Sequence, residues 1–391
     1  MEYITFDFSS KIKTFVSKFK NKSGTEEFHF TFQPLCWGYA QDQLEWIKSA
    51  YSKAIEELGL CEETAIFRRF LCSDLINQAQ VLEGLDFSSS NPARSGCAVS
   101  KVSQPPCGAA KLSLWAYHAA QSGEAVKKES GRSFVSFTPN SQRHIFSASL
   151  NSMDAESSYL QTYAVFDELA GRLDKNSMTL KDNVVRTWFY VQNVDGNYKG
   201  LVDARREIFE KEGLTKDTHF IASTGIEGAW DNPACKVLLD YYAIDNPAKN
   251  QIQYISAPEW LSPTHIYGVT FERATSIKYT DRIHTLISGT ASIDKEGVVV
   301  HSEDFFGQFE RTVQNIDALL SQAGSSREHL AAITVYLRDP SDSGPAEELI
   351  NRCFPGVPCL LVVAPVCRPG WLVEIEGIAI TPAEQPNMPA F

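Results

Sequence analysis

The chain reads as an α+β protein made of tandem units, each a mixed β-sheet with helices packed on one face, behind an N-terminal extension. Three observations lead there. A succession of strand, helix, strand, helix and two further strands runs from about residue 133 and recurs from about residue 282, and such a repeat is one supersecondary unit written twice. Within each copy the apolar residues switch from an alternating period to a 3.6-residue period and back. The composition, 43% hydrophobic, 11% aromatic and 21% charged over 391 residues, is that of a globular chain long enough for two or three domains.

The first 130 residues carry an amphipathic helix over 41–60, with Leu44, Ile47, Ala50, Ala54, Ile55 and Leu58 on one stripe. A Ser/Asn/Pro/Gly-rich loop covers 86–96, and Gln104-Pro105-Pro106 leads into an alternating strand from Leu112 to Tyr117. The first copy opens with a strand over 143–150. A helix follows over 159–173 (Leu160, Tyr163, Phe166 and Leu169 on its stripe), then a strand over 184–191, a helix over 198–212, an extended run at 220–225 and a strand over 238–244. The second copy repeats this with a strand from 282 to 290, a helix over 306–323, a strand at 332–337, a helix at 346–353, an extended run at 354–360 and a last strand over 372–378. Each copy holds roughly 110 residues, enough for one core. The expected divisions are 1–130, 131–262 and 263–391. Helices on one sheet face leave the other bare, which favours oligomerisation.

Charge narrows the partners. The 48 acidic residues outnumber the 36 basic ones, for a formal net charge of −12, which opposes binding to nucleic acid or to an anionic membrane. The N-terminus has no charged segment followed by an apolar one, and no window approaches the ~18 apolar residues of a spanning helix. A cytoplasmic protein is expected. Nine cysteines, odd in number and without a CxxC pair, fit neither a disulfide framework nor structural zinc. Nucleotide, metalloprotease and hydrolase signatures are missing, so no cofactor and no metal are implied.

Candidate chemistry gathers near the end of the chain. Glu374 and Glu376 lie two apart on the last strand and so share a face. Desolvated in a cleft, one of them would become an acid able to donate a proton near neutral pH. Asp240 interrupts the matching apolar strand of the first copy and reads as the counterpart of Glu374. Cys367 sits in the Pro365-Val366-Cys367-Arg368-Pro369-Gly370 loop entering the last strand. Arg186, within an apolar strand, Arg205, on a helix, and Arg273, at the domain junction, are natural partners for carboxylates because a guanidinium binds both oxygens at once.

The run Ile287-Ser288-Gly289-Thr290-Ala291, followed by a helix and then Leu372-Val373-Glu374-Ile375-Glu376-Gly377-Ile378-Ala379, resembles the Rid/YjgF family of small trimeric proteins over about 270–382. Most of 100–380 is similar to the chorismatases, a family with a Rid-like C-terminal half. The matching runs are Ser103-Gln104-Pro105-Pro106, Arg186-Thr187-Trp188, Tyr198 through Asp203-Ala204-Arg205, Ala222-Ser223-Thr224-Gly225-Ile226, Tyr267 through Ala274, and Cys367 with Glu374. The resemblance implies tandem Rid/YjgF-like (chorismate-mutase-like) units, a homotrimer, no cofactor, and cleavage of chorismate to pyruvate and an aromatic or dihydroaromatic acid. It makes Glu374 the catalytic acid, with Glu376 and Cys367 beside it. Arg186, Tyr198, Arg205, Gly225, Tyr267, Arg273 and Ala274 would form the substrate site, and Cys367 points to 3-hydroxybenzoate as product. Two alternatives stand beside it: a Rid-fold protein that binds or senses a metabolite, and an imine deaminase. The family's deaminases carry an Arg just after Phe-Pro, where this chain has Phe354-Pro355-Gly356-Val357.

Overall fold

A computed structural model of the chain describes residues 1–83, 96–131 and 133–391. The loop expected at 86–96 lies, but for its last residue, outside them. The first 125 residues contain β1 (Glu2–Phe6), β2 (Ile12–Lys20), β3 (Thr25–Pro34), α1 (Ala40–Glu57), β4 (Ala65–Cys72), α2 (Leu75–Glu83), β5 (Ala98–Ser103), β6 (Leu112–Gln121) and β7 (Glu124–Ala125). Next come β8 (Lys127–Ser130), β9 (Phe134–Thr138), β10 (His144–Asn151), α3 (Ser158–Asp174), α4 (Leu180–Asn183), β11 (Val184–Val191), α5 (Val194–Lys211), β12 (Ala222–Glu227) and β13 (Val237–Ile244). The last set is β14 (Ile252–Ile255), β15 (Ala274–Lys278), β16 (Arg282–Ala291), α6 (Phe305–Gln322), β17 (Leu330–Leu337), α7 (Ser343–Cys353), β18 (Cys359–Val363) and β19 (Val373–Pro382).

The three sheets share one strand order. It runs β1-β2-β3-β6-β4-β5 in the first, β8-β9-β10-β13-β11-β12 in the second and β14-β15-β16-β19-β17-β18 in the third. The two copies legible from 133 onward are thus joined by a third, because the N-terminal extension repeats their topology. In β3 successive side chains alternate between the two faces of the sheet. Phe28, Phe30 and Phe32 of β3 pack with Leu44, Ile47 and Tyr51 of α1, each buried Phe being worth about 1.5–3 kcal/mol relative to exposure. Thr31 and His29 point the opposite way, and both are buried as well.

That second burial comes from the other repeats. One core cluster takes in Phe67, Trp115 and Tyr117 of the first sheet, Phe146, Trp188 and Tyr242 of the second, and Leu286, Val335 and Tyr336 of the third. The sheets close a ring through one equivalent backbone hydrogen bond at each junction. Ser103 N donates to Ala229 O at 2.7 Å, Glu227 N to Pro365 O at 3.1 Å, and Val363 N to Pro105 O at 2.8 Å. Ser103, Glu227 and Val363 occupy the same register in their sheets, opposite Cys72, Val191 and Leu337. The bare inner faces that favour an oligomer in the sequence are therefore covered within one chain, and the physical reason for expecting a homotrimer falls away.

Charged groups fill the middle of the ring. Arg69 Nη2 donates to Asp240 Oδ2 at 3.0 Å, and Arg186 Nη2 donates to Glu376 Oε2 at 2.7 Å. Farther along, Arg282 Nη1 donates to Glu27 Oε1 at 2.6 Å. Each carboxylate draws on more than one repeat, and buried charges of this kind persist only when paired. Among the described residues, no helix is long and apolar enough to cross a membrane.

Candidate functional site

The junction between the second and third repeats opens into a cleft with about 520 Å³ of empty space. Its walls come from both repeats. Tyr198 and Arg205 lie seven residues apart on α5, two turns, and so project from one helix face. The start of α5 is fastened to the sheet by Glu227 at the end of β12, whose carboxylate accepts the Asn193 and Val194 N–H groups at 2.9 and 2.6 Å. Ser223 and Gly225 follow on β12; Tyr267, Phe271 and Arg273 come from the segment before β15; and Gly289, Cys367, Arg368, Trp371 and Glu374 complete the lining.

Two glycines make room for functional side chains. A Cβ on Gly289 would stand 2.0 Å from Glu374 Oε1, and one on Gly225 would stand 2.8 Å from the Tyr198 ring. Gly289 lies in a β-bulge, where β16 slips register against β19 between Ile287 and Thr290, a device that re-aims side chains.

Glu374 is 4% exposed. Burial pushes its carboxyl up to about 8, with the negative charge of Glu376 adding to the effect and Arg186 and Arg273 opposing it. It is consequently protonated at neutral pH, as a proton donor must be. Burial, then the neighbouring Glu374, also pushes the Cys367 thiol up to about 12, so Cys367 meets the cleft as a neutral thiol and not as a thiolate nucleophile.

Three guanidinium groups face this one acid. Arg205 is buried and donates from Nη1 to Ser223 Oγ at 3.4 Å, while its Nε and Nη2 have no hydrogen-bond partner. Arg273 donates from Nη2 to Ser262 O at 2.7 Å and leaves Nε unpartnered. Arg368 lies 4.5 Å from the Tyr267 ring and 4.9 Å from the Trp371 ring. Leaving buried charged donors unpaired is expensive, and an anionic ligand would relieve the cost. The cleft is locally basic in a chain whose formal net charge is −12.

The expected site residues divide. Glu374, Cys367, Tyr198, Arg205, Gly225, Tyr267 and Arg273 converge on the cleft. Arg186, Glu376 and Ala274 do not line it. Arg186 is spent on Glu376 and on Thr224 Oγ1, at 2.6 Å. Glu376 accepts from Arg186, from Trp188 Nε1 at 3.1 Å, from Tyr336 OH at 2.9 Å and from Thr224, so its carboxylate is saturated by protein donors and serves as an anchor. Ala274 is fully buried on β15, paired with Ile255 and Ile287, because strand alternation turns it inward while Arg273 turns to the cleft. Asp240 is not the counterpart of Glu374. Trp188 pairs with Asp240 and Thr334 with Glu376, each opposite its sheet's bulge, which makes Asp240 the counterpart of Glu376; Leu238 stands where the third repeat has Glu374.

Arg368, Trp371 and Gly289 are lining residues that sequence reasoning leaves unassigned. The available signal was the Cys-Arg-Pro-Gly-Trp string for the first two and the Ser-Gly-Thr strand end for the third. Among the described residues, no cluster of three metal-ligating side chains forms.

Residues 274–381 match the family model described as endoribonuclease L-PSP. A RutC family protein of Pyrococcus abyssi is 32% identical over 95 residues, 24% of this chain and 75% of that protein. The chain belongs to the Rid family, which takes in the RutC and endoribonuclease L-PSP proteins. A 3-hydroxybenzoate synthase of Streptomyces hygroscopicus is 26% identical over 223 residues, 51% of this chain and 64% of that protein, so the chain spans less than two thirds of that relative's length. A chorismatase crystal structure superposes with a TM-score of 0.61 at 18% identity, over 81% of this chain and 93% of that one. The fold as a whole is that of a chorismatase-like Rid protein.

Proposed function

We propose that the protein cleaves chorismate, releasing pyruvate and a hydroxybenzoate, with 3-hydroxybenzoate favoured over the dihydroxycyclohexadiene carboxylate. The observation that carries this reading is a buried carboxyl held protonated, Glu374 at about 8, across a cleft from three arginines. Chorismate carries two carboxylates and an enol ether, and each feature finds its complement. Arg205, with two free donors, receives one carboxylate, and Arg273 with Arg368 receives the other. Held so, the enol-ether methylene accepts the Glu374 proton, and positive charge develops on the ether carbon. Water or the neighbouring ring hydroxyl then captures that centre. Capture by water gives a hemiketal, whose bond between the former ether carbon and the ring oxygen breaks to release pyruvate. Capture by the neighbouring ring hydroxyl gives a cyclic ketal, from which pyruvate departs with that hydroxyl's oxygen as the ring carbon–oxygen bond and the bond to the other ring oxygen both break. The ring C–H proton then returns to the Glu374 carboxylate, and the hydroxyl proton goes to the phenol oxygen. With water the products are the dihydroxy acid and pyruvate; with capture inside the substrate, hydroxybenzoate and pyruvate account for every atom of chorismate. Burial of the cleft keeps the guanidinium contacts strong. The neutral Cys367 thiol packs at the wall near Glu374 and Tyr198, where it shapes the space for the ring and excludes bulk water. The likeness over 223 residues to a protein described as a 3-hydroxybenzoate synthase supports the product assignment.

The test is a coupled assay for pyruvate release from chorismate, with product identification by mass spectrometry, in wild type and Glu374→Gln. Loss of a positioned general acid is expected to lower kcat by roughly 10²–10⁴-fold. Equal release from both proteins would remove Glu374 from the mechanism.

A further inference from the structure

The junction between the third and first repeats repeats the architecture of the Glu374 cleft, position by position. The Val363 to Pro105 bond matches the Glu227 to Pro365 bond. The bridge between Pro106 and Val362 matches that between Val366 and Ile226. Two residues after the matching prolines stand Cys107 here and Cys367 there. By strand register Cys359 replaces Ser223 and Leu361 replaces Gly225, and α7 takes the place of α5. At the position of Glu374 the first repeat carries Ser113, two residues before Trp115, the counterpart of Glu376.

This junction is also open. A cleft with about 610 Å³ of empty space is lined by Phe15, Phe354, Val357 and Leu361 on its apolar side, and by Lys13, Gln33, Glu347 and Asn351 on its polar side. It has lost the acid and the arginines, so a dianion has no set of cations to meet. What it holds instead is one cation and one anion beside an apolar wall. Lys13 projects from β2 with its ammonium 4.7 Å from the Phe15 ring, and Glu347 projects from α7. Both charges are felt at one place, the Cys359 thiol, which Lys13 stabilises as the anion and Glu347 destabilises.

We propose that this second cleft binds an apolar α-amino acid as its zwitterion, with the carboxylate toward Lys13, the ammonium toward Glu347, and the side chain against Phe15, Val357 and Leu361. A carboxylate without an amine would leave Glu347 unmatched, and an amine alone would leave Lys13 unmatched. The site is separate from the Glu374 cleft and does not depend on the reaction assigned there.

Isothermal titration calorimetry on the full chain tests it, with L-phenylalanine and L-leucine as probes and 2-phenylethylamine and 3-phenylpropanoate as analogues lacking one charge. Saturable 1:1 binding of an amino acid is expected, weakened roughly tenfold or more in Lys13→Met and in Glu347→Gln and for both analogues. Binding should persist in Glu374→Gln. Lys13 is half-buried and Glu347 exposed, and far-UV circular dichroism checks that their variants fold. Absence of saturable heat with both amino acids, or binding that survives both cleft substitutions, overturns the proposal.

Discussion

Glu374 owes its chemistry to its neighbours. Its carboxyl is raised to about 8 because it is buried beside Glu376, and Glu376 holds its position because Arg186, Trp188, Tyr336 and Thr224 all donate to it. Two pH effects follow. Turnover should fall about tenfold per pH unit above 8, as the acid loses its proton. Stability moves in the same direction: the folded-state value lies above the unfolded one, so the folded protein binds the extra proton between about 4.5 and 8, and stability is lost as pH rises through that window. Glu374→Gln, which has no proton to lose, should therefore match wild type near pH 4 and exceed it by a few kcal/mol, to order of magnitude, at pH 9, as read by denaturant titration. An identical pH dependence in both proteins would show that Glu374 ionises without penalty. Arg368 tests the other side of the cleft. Held between Tyr267 and Trp371, it binds substrate without taking part in proton transfer under the proposed reaction, so Arg368→Met should raise KM for chorismate about tenfold or more and leave kcat within a few fold. An unchanged KM removes it from the binding set.

At the scale of elements, the bulge in β16 and the cap on α5 decide where the side chains go. Gly289→Ala places a methyl group where Glu374 Oε1 now lies. The atom displaced is the end of a flexible side chain, so kcat should drop by an order of magnitude or more while the melting temperature moves little. A variant with full activity would mean that Glu374 works from another rotamer. Much of this level was legible in the sequence. The strand over 184–191 and the helices near 41–60, 159–173 and 306–323 follow from apolar period alone; carboxyl and guanidinium chemistry marks Glu374, Arg205 and Arg273 as candidates, while their joint role rests on the family resemblance. Register was not legible. Nothing in an apolar strand announces a bulge, so Asp240 reads as the counterpart of Glu374 when register makes it the counterpart of Glu376, and Arg186 and Ala274 read as lining residues when pairing turns them toward the core.

For the whole molecule, the first repeat was the hidden part. Ser113 and Trp115 stand where the third repeat has Glu374 and Glu376, so shared topology carries no shared motif; the alternation of Phe28, Phe30 and Phe32 was the remaining sign. With three sheets closed on one another, analytical ultracentrifugation should find a single species at the chain mass of 43.6 kDa. A species at three times that mass would mean that the ring presents a further adhesive surface.

Ring closure along a single polypeptide has a genetic side. In an assembly of identical subunits every codon change is felt three times, and the three pockets must stay alike. Here each junction is encoded separately, so one can keep an acid and its arginines while another exchanges them for a lysine and a glutamate. If both proposals hold, a lone gene product accommodates two unlike guests, an asymmetry closed to any threefold homomer.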